Sequence, residues 1–294
     1  MKRILITGYN GLLGKLVCQK LCTQNELIGI GRSKSPDIKV IYCDLSSSDW
    51  SIDLLPKTCD TIIHLAQSDK FREFPEEVHD ILNVNTFSTI KLLDYARKSN
   101  CKQFIYASSG GVYGQGNKSF KEDSLIELQN INLGFYQNSK ICSEILINNY
   151  KKIMDIVTLR FFFIYGAQQK DHMLIPRLIN KILHDQEITL EKPNGLKINP
   201  VHVDDAAEAV KAAINIKGSH VINVAGKEIL SLKAIIDMIG QKTNKLPKVK
   251  TCLEKEAKHI IADITKMKNL LHQPAITFNE GVQKVIQKYS TLYQ

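Results

Sequence analysis

Three glycines at every third position, Gly8, Gly11 and Gly14, stand between Lys2-Arg3-Ile4-Leu5-Ile6 and Lys15-Leu16-Val17-Cys18-Gln19-Lys20-Leu21. The first flank is a short β-branched and aliphatic run, and the second has apolar positions at helical spacing. Strand, glycine turn, helix is the order that most narrows the folds open to this chain. A phosphate set against such a turn meets unpaired backbone N–H groups and the positive end of a helix dipole. The glycines remove side chains where the turn, a pyrophosphate and the helix-strand contact need room. Thr7-Gly8-Tyr9-Asn10-Gly11-Leu12-Leu13-Gly14 is therefore expected to cradle a dinucleotide, with Asn10, Leu12 and Leu13 beside the glycines. An ordinary strand-to-helix turn is the alternative.

Tyr136 and Lys140 lie in a segment with helical character up to Lys152, where a spacing of four puts them on one face. An ammonium beside a phenol favours the phenolate and lowers its pKa from about 10. Tyr136 is then able to exchange a proton with a hydroxyl or carbonyl of a substrate. The same spacing also suits a packed ring and a solvated amine, so the reading needs a third residue. Ile105-Tyr106-Ala107-Ser108-Ser109-Gly110-Gly111-Val112-Tyr113-Gly114 supplies it as a buried strand entering a glycine-rich loop. Open α/β sheets bind ligands at such strand ends. Ser109 is the expected donor to the substrate oxygen, and Ser108 is the alternative.

Together these segments resemble the extended short-chain dehydrogenase/reductase superfamily of NAD(P)-dependent nucleotide-sugar epimerases, dehydratases and ketoreductases. Further matches are His64-Leu65-Ala66, Asn85 followed by Leu92-Leu93, Leu159-Arg160-Phe161-Phe162-Phe163-Ile164-Tyr165-Gly166, and Val201-His202-Val203-Asp204-Asp205. The resemblance selects Ser109 over Ser108 and implies that Lys140 binds the nicotinamide ribose. It also implies that Leu65 and Ala66 touch the cofactor, and that Asn85 props a kinked helix or a relay water. Asp44, with Leu45, matches the aspartate on the adenine side.

Strands expected near residues 2 to 7, 27 to 31, 38 to 43, 60 to 65, 103 to 108 and 156 to 161 alternate with helices near 12 to 24, 76 to 98 and 136 to 152. This alternation predicts an α/β fold with a doubly wound parallel sheet. Residues 1–166 are expected to form the dinucleotide-binding domain and 167–294 a smaller substrate lobe, with 200–226 crossing back. Helices are expected in the second half near 173 to 184, 204 to 215 and 231 to 242. Relatives pair the helices near 81 to 98 and 136 to 152 with those of a second subunit, so a homodimer is expected. Ile90, Leu93, Ile141, Ile145 and Leu146 are the apolar positions available for it, unless they face the sheet.

The second strand ends in Gly31-Arg32-Ser33-Lys34, without the acid that an NAD site uses to accept from the ribose 2′-hydroxyl. Arg32 suits a 2′-phosphate, with Ser33 and Lys34 as further donors. NADP is thus preferred, with NAD the other option and a solvent-exposed basic loop the alternative to both.

Two departures from the family pattern bear on the chemistry. The 4,6-dehydratases carry an Asp-Glu pair directly after the active serine or threonine, where Gly110-Gly111 stands here, so dehydration is not expected. Many epimerases carry asparagine at the position of Phe163, contacting the substrate diphosphate. The remaining candidates for that grip are Arg177, His172, Asn199 and His202, although Arg177 also suits a snorkelling role and His202 a strand interior.

With 294 residues, 44% of them hydrophobic, the chain can bury a large core. No apolar run approaches the ~18 residues of a membrane span. Met1-Lys2-Arg3 enters the first strand without a signal-peptide core, so a cytoplasmic protein is expected. The seven cysteines include no Cys-x-x-Cys pair and suggest neither disulfides nor a metal site. A net charge of +9 comes from scattered lysines, which fits anionic small ligands and gives no block suited to nucleic acid.

Overall fold

The computed structural model describes residues 1–128 and 133–292. The first half follows the expected alternation: β1 (Lys2–Thr7), α1 (Leu12–Leu21), β2 (Asn25–Gly31), β3 (Lys39–Tyr42) and β4 (Thr61–His64). There follow α2 (Val78–Leu82), α3 (Ser88–Lys98), β5 (Gln103–Ser109), α4 (Phe135–Asn148) and β6 (Asp155–Phe161). The second half holds α5 (Leu174–Leu183), β7 (Ile188–Lys192), β8 (Lys197–Ile198), α6 (Val203–Ala213) and β9 (His220–Val224). It ends with β10 (Leu230–Ser231), α7 (Leu232–Thr243), β11 (Val249–Glu256), α8 (Thr265–Leu270) and α9 (Phe278–Leu292).

The main sheet has seven parallel strands in the order β3-β2-β1-β4-β5-β6-β9. Its central strands are aliphatic throughout because helices cover both faces: Ile4, Leu5, Ile6, Ile62, Ile63, Phe104 and Ile105 are completely buried. Strand order reverses between β1 and β4, where Thr7 lies beside His64. Such a reversal opens a crevice outside the carboxyl ends of the strands. β9 joins the sheet beside β6, and α6 packs on α1. A separate apolar cluster gathers α5, α7 and α9 around Ile179, Ile236 and Val282. No described helix is long and apolar enough to cross a membrane.

The helix expected over 76 to 98 is interrupted. Asn83–Phe87 form a π-turn between α2 and α3, which turns Asn85 inward. Sequence periodicity cannot show this, because one extra residue per turn leaves the apolar pattern on either side intact. Along α3 and α4, Leu93 and Ile141 face the core, whereas Ile90 and Ile145 are exposed.

His64 pins the crevice. Its Nδ1 lies 2.6 Å from Thr7 Oγ1 and its Nε2 3.0 Å from Thr89 Oγ1. The Thr89 hydroxyl donates onward to the Asn85 carbonyl, so the ring is held with its proton on Nε2. Complete burial, with Lys140 adding a smaller effect, pushes the imidazole down to about 3. The unfolded chain protonates this ring near 6.5, so between ~6.5 and 3 it binds more protons than the folded protein and stability falls with falling pH. The slope reaches ~1.4 kcal/mol per pH unit for one proton. Urea midpoints are expected to decline from pH 7 to 5.5 as the contribution of this neutral ring is lost. A midpoint unchanged over that interval would contradict the buried neutral imidazole.

Candidate active site

The glycine turn has the close approaches that its sequence requires. Gly8 adopts φ +68°, and a Cβ there would meet the Ala66 nitrogen at 2.8 Å. A Cβ on Gly14 would lie 2.1 Å from the Gly8 carbonyl oxygen. Gly11 caps α1, its N–H donates to Gly8 O at 3.0 Å, and no side chain caps the helix start. The first N–H groups of α1 are thus left for a ligand beside the crevice. Asn10 is exposed, and Leu12 and Leu13 are half-buried at this rim. Leu65 and Ala66 line the opposite side, where Thr7 Oγ1 fixes the Ala66 N–H at 3.1 Å. Gly14→Ala drives a methyl group into backbone, an overpacking cost of about 1–3 kcal/mol. Dinucleotide affinity is expected to fall ~10- to 100-fold, read by fluorescence titration. Unchanged affinity would remove the turn from the cofactor site.

Tyr9, within the glycine turn, is buried against the end of β2. Its ring fills the space over Gly29 and Gly31, where a Cβ would lie within 2.8 and 3.0 Å of ring atoms. Its hydroxyl donates to the Ser33 carbonyl. Arg32, Ser33 and Lys34 are exposed around that anchor. The Arg32 guanidinium comes within 3.7 Å of Asp44. Asp44 also accepts from the Ser46 N–H at 3.0 Å and its hydroxyl at 2.7 Å. Burial opposes the Asp44 charge, but the Ser46 bonds and Arg32 outweigh it and hold the carboxyl below its ordinary value. Leu45 turns inward and is buried.

Ser109, Tyr136 and Lys140 converge beyond the end of β5. Ser109 Oγ accepts from Gly111 N–H at 3.0 Å, and its hydroxyl favours the charged form of the Tyr136 phenol. The Tyr136 hydroxyl donates to Gln67 Oε1 at 3.0 Å. Gln67 was not singled out from the sequence, where it shows only as a polar residue after Ala66. The Lys140 ammonium is buried, donates to the Ala107 carbonyl at 2.9 Å and lies 5.0 Å from the Tyr106 ring centroid. Burial pulls it down to about 7, against the favourable pull of Glu144.

The expected lowering of the phenol by this ammonium is not found. Burial pushes Tyr136 up to about 12, with only the Ser109 bond acting the other way. Lys140 lies 6.0 Å from the Tyr136 ring centroid and is bonded elsewhere, so its charge does little for the phenol oxygen.

Asn85 braces this group from the π-turn. Its Oδ1 accepts from Ser68 N–H and its Nδ2 donates to Ser139 Oγ, both at 2.9 Å. Ser108 is committed elsewhere, donating to Glu144 at 2.5 Å within a buried network. Of the two neighbouring serines, Ser109 is the one turned toward Tyr136.

The four substrate candidates separate. Asn199 is buried with both ends of its amide bonded to the Ala262 backbone at 3.0 Å, so it clasps two segments and leaves no group for a ligand. His202 is also buried, capping α6 through the Asp204 N–H and packing edge-on to Tyr165. The expectation for Asn199 is corrected, because both ends of its amide are bonded to backbone, whereas His202 keeps a buried Nε2 without a hydrogen-bond partner among the described residues. Phe163 stands just beyond β6 at φ +46°, a conformation asparagine tolerates and a bulky aromatic ring rarely adopts. Arg177 is exposed on the first turn of α5, and His172 is exposed just before that helix.

The model of the NAD dependent epimerase/dehydratase family matches residues 4–225. The chain belongs to that family. This family member is 26% identical to the dTDP-4-dehydro-6-deoxyglucose reductase of Escherichia coli, over 97% of this chain and 96% of the relative. It is 26% identical to a putative UDP-glucose 4-epimerase of Methanocaldococcus jannaschii, over 96% and 97% of the two chains. Among solved structures, UDP-glucuronic acid 4-epimerase from Bacillus cereus in complex with NAD superposes with a TM-score of 0.86 at 26% identity, covering 99% of this chain and 100% of that one. The glycine cradle and the buried Lys140 donor fit a nicotinamide dinucleotide, as membership of the family implies.

Proposed function

We propose that this protein catalyses hydride transfer at a sugar carbon bearing a hydroxyl or keto group, on a nucleotide-activated sugar. The observation carrying this is the convergence of Ser109, Tyr136 and Lys140 beside the glycine turn at the strand-order reversal. When bound, the nicotinamide dinucleotide supplies the chemistry of hydride donation and acceptance. Tyr136 donates a proton to the substrate oxygen during reduction and removes it during oxidation. Ser109 hydrogen-bonds that oxygen as its charge develops. Lys140 orients the ribose, and Gln67 holds the Tyr136 hydroxyl until substrate replaces it.

An epimerase uses both directions on one retained cofactor, whereas a ketoreductase releases it. Dehydration is not proposed, because a side chain at Gly110 would meet the Phe162 ring at 2.5 Å and leaves no room for an acid. The first test is incubation of protein and cofactor with UDP-glucose, UDP-glucuronate or a 4-keto deoxysugar nucleotide, followed by proton NMR. Inversion at C4 with no net consumption of cofactor identifies an epimerase. Reduction that consumes cofactor stoichiometrically identifies a ketoreductase. Neither reaction, with dinucleotide still bound, favours a non-catalytic dinucleotide-binding regulator.

For the cofactor, the basic corner Arg32-Ser33-Lys34 supports NADP over NAD. NADP is expected to bind at least ~10-fold tighter, about 1.4 kcal/mol, and equal affinities would overturn this preference. A homodimer through α3 and α4 is supported by the exposed Ile90 and Ile145 on those helices, with Phe87 exposed at the end of the π-turn before α3. A monomer in sedimentation at micromolar concentration would exclude it.

A further inference from the structure

Cys59 and Cys101 stand 42 residues apart, a spacing that gives no sign of pairing, but the sheet brings them together. β4 and β5 run parallel with Thr61 opposite Gln103, and the ladder continues backwards through the Lys102 N–H, which donates to the Asp60 carbonyl at 3.1 Å. Two residues before Thr61 and Gln103, the same register sets Cys59 opposite Cys101. Neighbouring strands lie about 4.8 Å apart, inside the ~4.4–6.8 Å range of Cα separations that a disulfide spans. Both thiols are free and buried, and Cys59 donates to the Cys101 sulfur at 3.7 Å. Closing that gap to the ~2.05 Å of an S–S bond asks each sulfur to move by less than ~1 Å. Exposed residues flank both positions, Thr58 and Asp60 around Cys59, Asn100 and Lys102 around Cys101. The pair therefore lies one residue below the surface, at the end of the sheet away from the glycine turn.

We propose that Cys59 and Cys101 form a thiol–disulfide site, oxidised by a hydroperoxide and restored by a dithiol. The hydrogen bond from Cys59 holds the Cys101 thiol below its ordinary value, against burial, which makes Cys101 the first nucleophile. Its thiolate takes an oxygen from the peroxide: an S–O bond forms, the O–O bond breaks and water leaves, giving a sulfenic acid. The Cys59 sulfur then attacks that of Cys101. The S–S bond forms, the S–O bond breaks, and the departing hydroxide leaves as water with the Cys59 proton. Two thiols and one hydrogen peroxide thus become one disulfide and two waters. A dithiol reverses the step by exchange and is itself oxidised to a disulfide. The product ties together both ends of the crossover from β4 to β5, a closed loop holding Gln67, α2, the π-turn with Asn85, and α3. Such a link removes loop entropy from the unfolded chain and stabilises the fold. Two cysteines packed as small apolar residues would do none of this.

The test starts from full-length protein reduced with a dithiol and freed of it, then treated with hydrogen peroxide at a dose that oxidises the exposed Cys22 and Cys142. Remaining thiols are alkylated under denaturing conditions, and the digest is mapped by mass spectrometry. The expected product is one peptide pair joined through Cys59 and Cys101, lighter than the two free peptides by two hydrogens and separated again by the dithiol. The oxidised protein is expected to melt about 5–10 °C above the reduced one, the gain for closing a loop of this length. Cys101→Val should lose both the joined peptides and the shift. Should that variant not fold, the peptide map and the two melting curves of the wild type still decide. Thiols at 59 and 101 that both remain free after that dose would mean that burial leaves them inert, and would overturn the site. Pairing of either with a different cysteine would overturn it too, as would a joined product that melts no higher than the reduced protein.

Discussion

Tyr136→Phe is expected to lower turnover roughly 10²- to 10⁴-fold, the usual contribution of a positioned proton donor. The substitution keeps the ring contacts with Phe71 and with the Lys140 ammonium. It removes the single hydroxyl that lies between Gln67 and Ser109. Dinucleotide affinity should be nearly unchanged, since the glycine turn and the Lys140 donor remain. Steady-state turnover measured beside cofactor titration separates the two effects. Full activity in the variant, with cofactor bound, would mean that the proton comes from elsewhere and would remove the basis of the proposed mechanism.

The second large effect is on stability. Glu144 and Arg160 form a buried ion pair at 2.6 Å, with a second bond from Arg160 Nε at 3.0 Å. Ser108 donates to the same carboxylate, and Arg160 donates to the Tyr113 hydroxyl at 2.6 Å, which in turn donates to Asn223 Oδ1 at 2.9 Å. Burial works against the guanidinium charge, yet Glu144 and then Tyr113 hold it above its ordinary value. Arg160→Met leaves Glu144 buried without its counter-charge, at a cost of about 3–5 kcal/mol. For a chain of this size that is a fall in Tm on the order of 10 °C. Replacing both partners, with Glu144→Leu added, should recover much of the loss, because no unpaired charge remains. Thermal unfolding of the three proteins decides it, and a single-variant loss below ~1 kcal/mol would mean that water enters the site and solvates Glu144. α4 carries Tyr136, Lys140 and Glu144 at successive steps of four, so the same loosening should also reduce turnover.

Much of the main sheet was legible because parallel strands buried on both faces write themselves as aliphatic runs between amphipathic helices. The glycine turn was legible for a related reason, since close backbone approach admits no other residue at Gly8 and Gly14. Less visible were features that depend on partners distant in the chain. Asn199 looked like a ligand residue, but the backbone at Ala262 decides its role. Gln67 carries no local pattern and gains meaning only when Tyr136 is folded against it. By contrast, α9 was readable and overlooked: Phe278, Val282, Val285, Ile286 and Tyr289 recur at helical spacing and all are buried.

The seating of Tyr9 over Gly29 and Gly31 has a consequence for changing cofactor use. The loop that would meet the adenosine end of the cofactor hangs from a phenol in the loop that would meet its phosphates. Transplanting an acidic residue to position 32 would alter the charge but keep the inherited backbone path through Ser33. A full exchange of preference would therefore need residue 9 and the two glycines of β2 to be redesigned along with the basic corner, six positions behaving as one heritable unit.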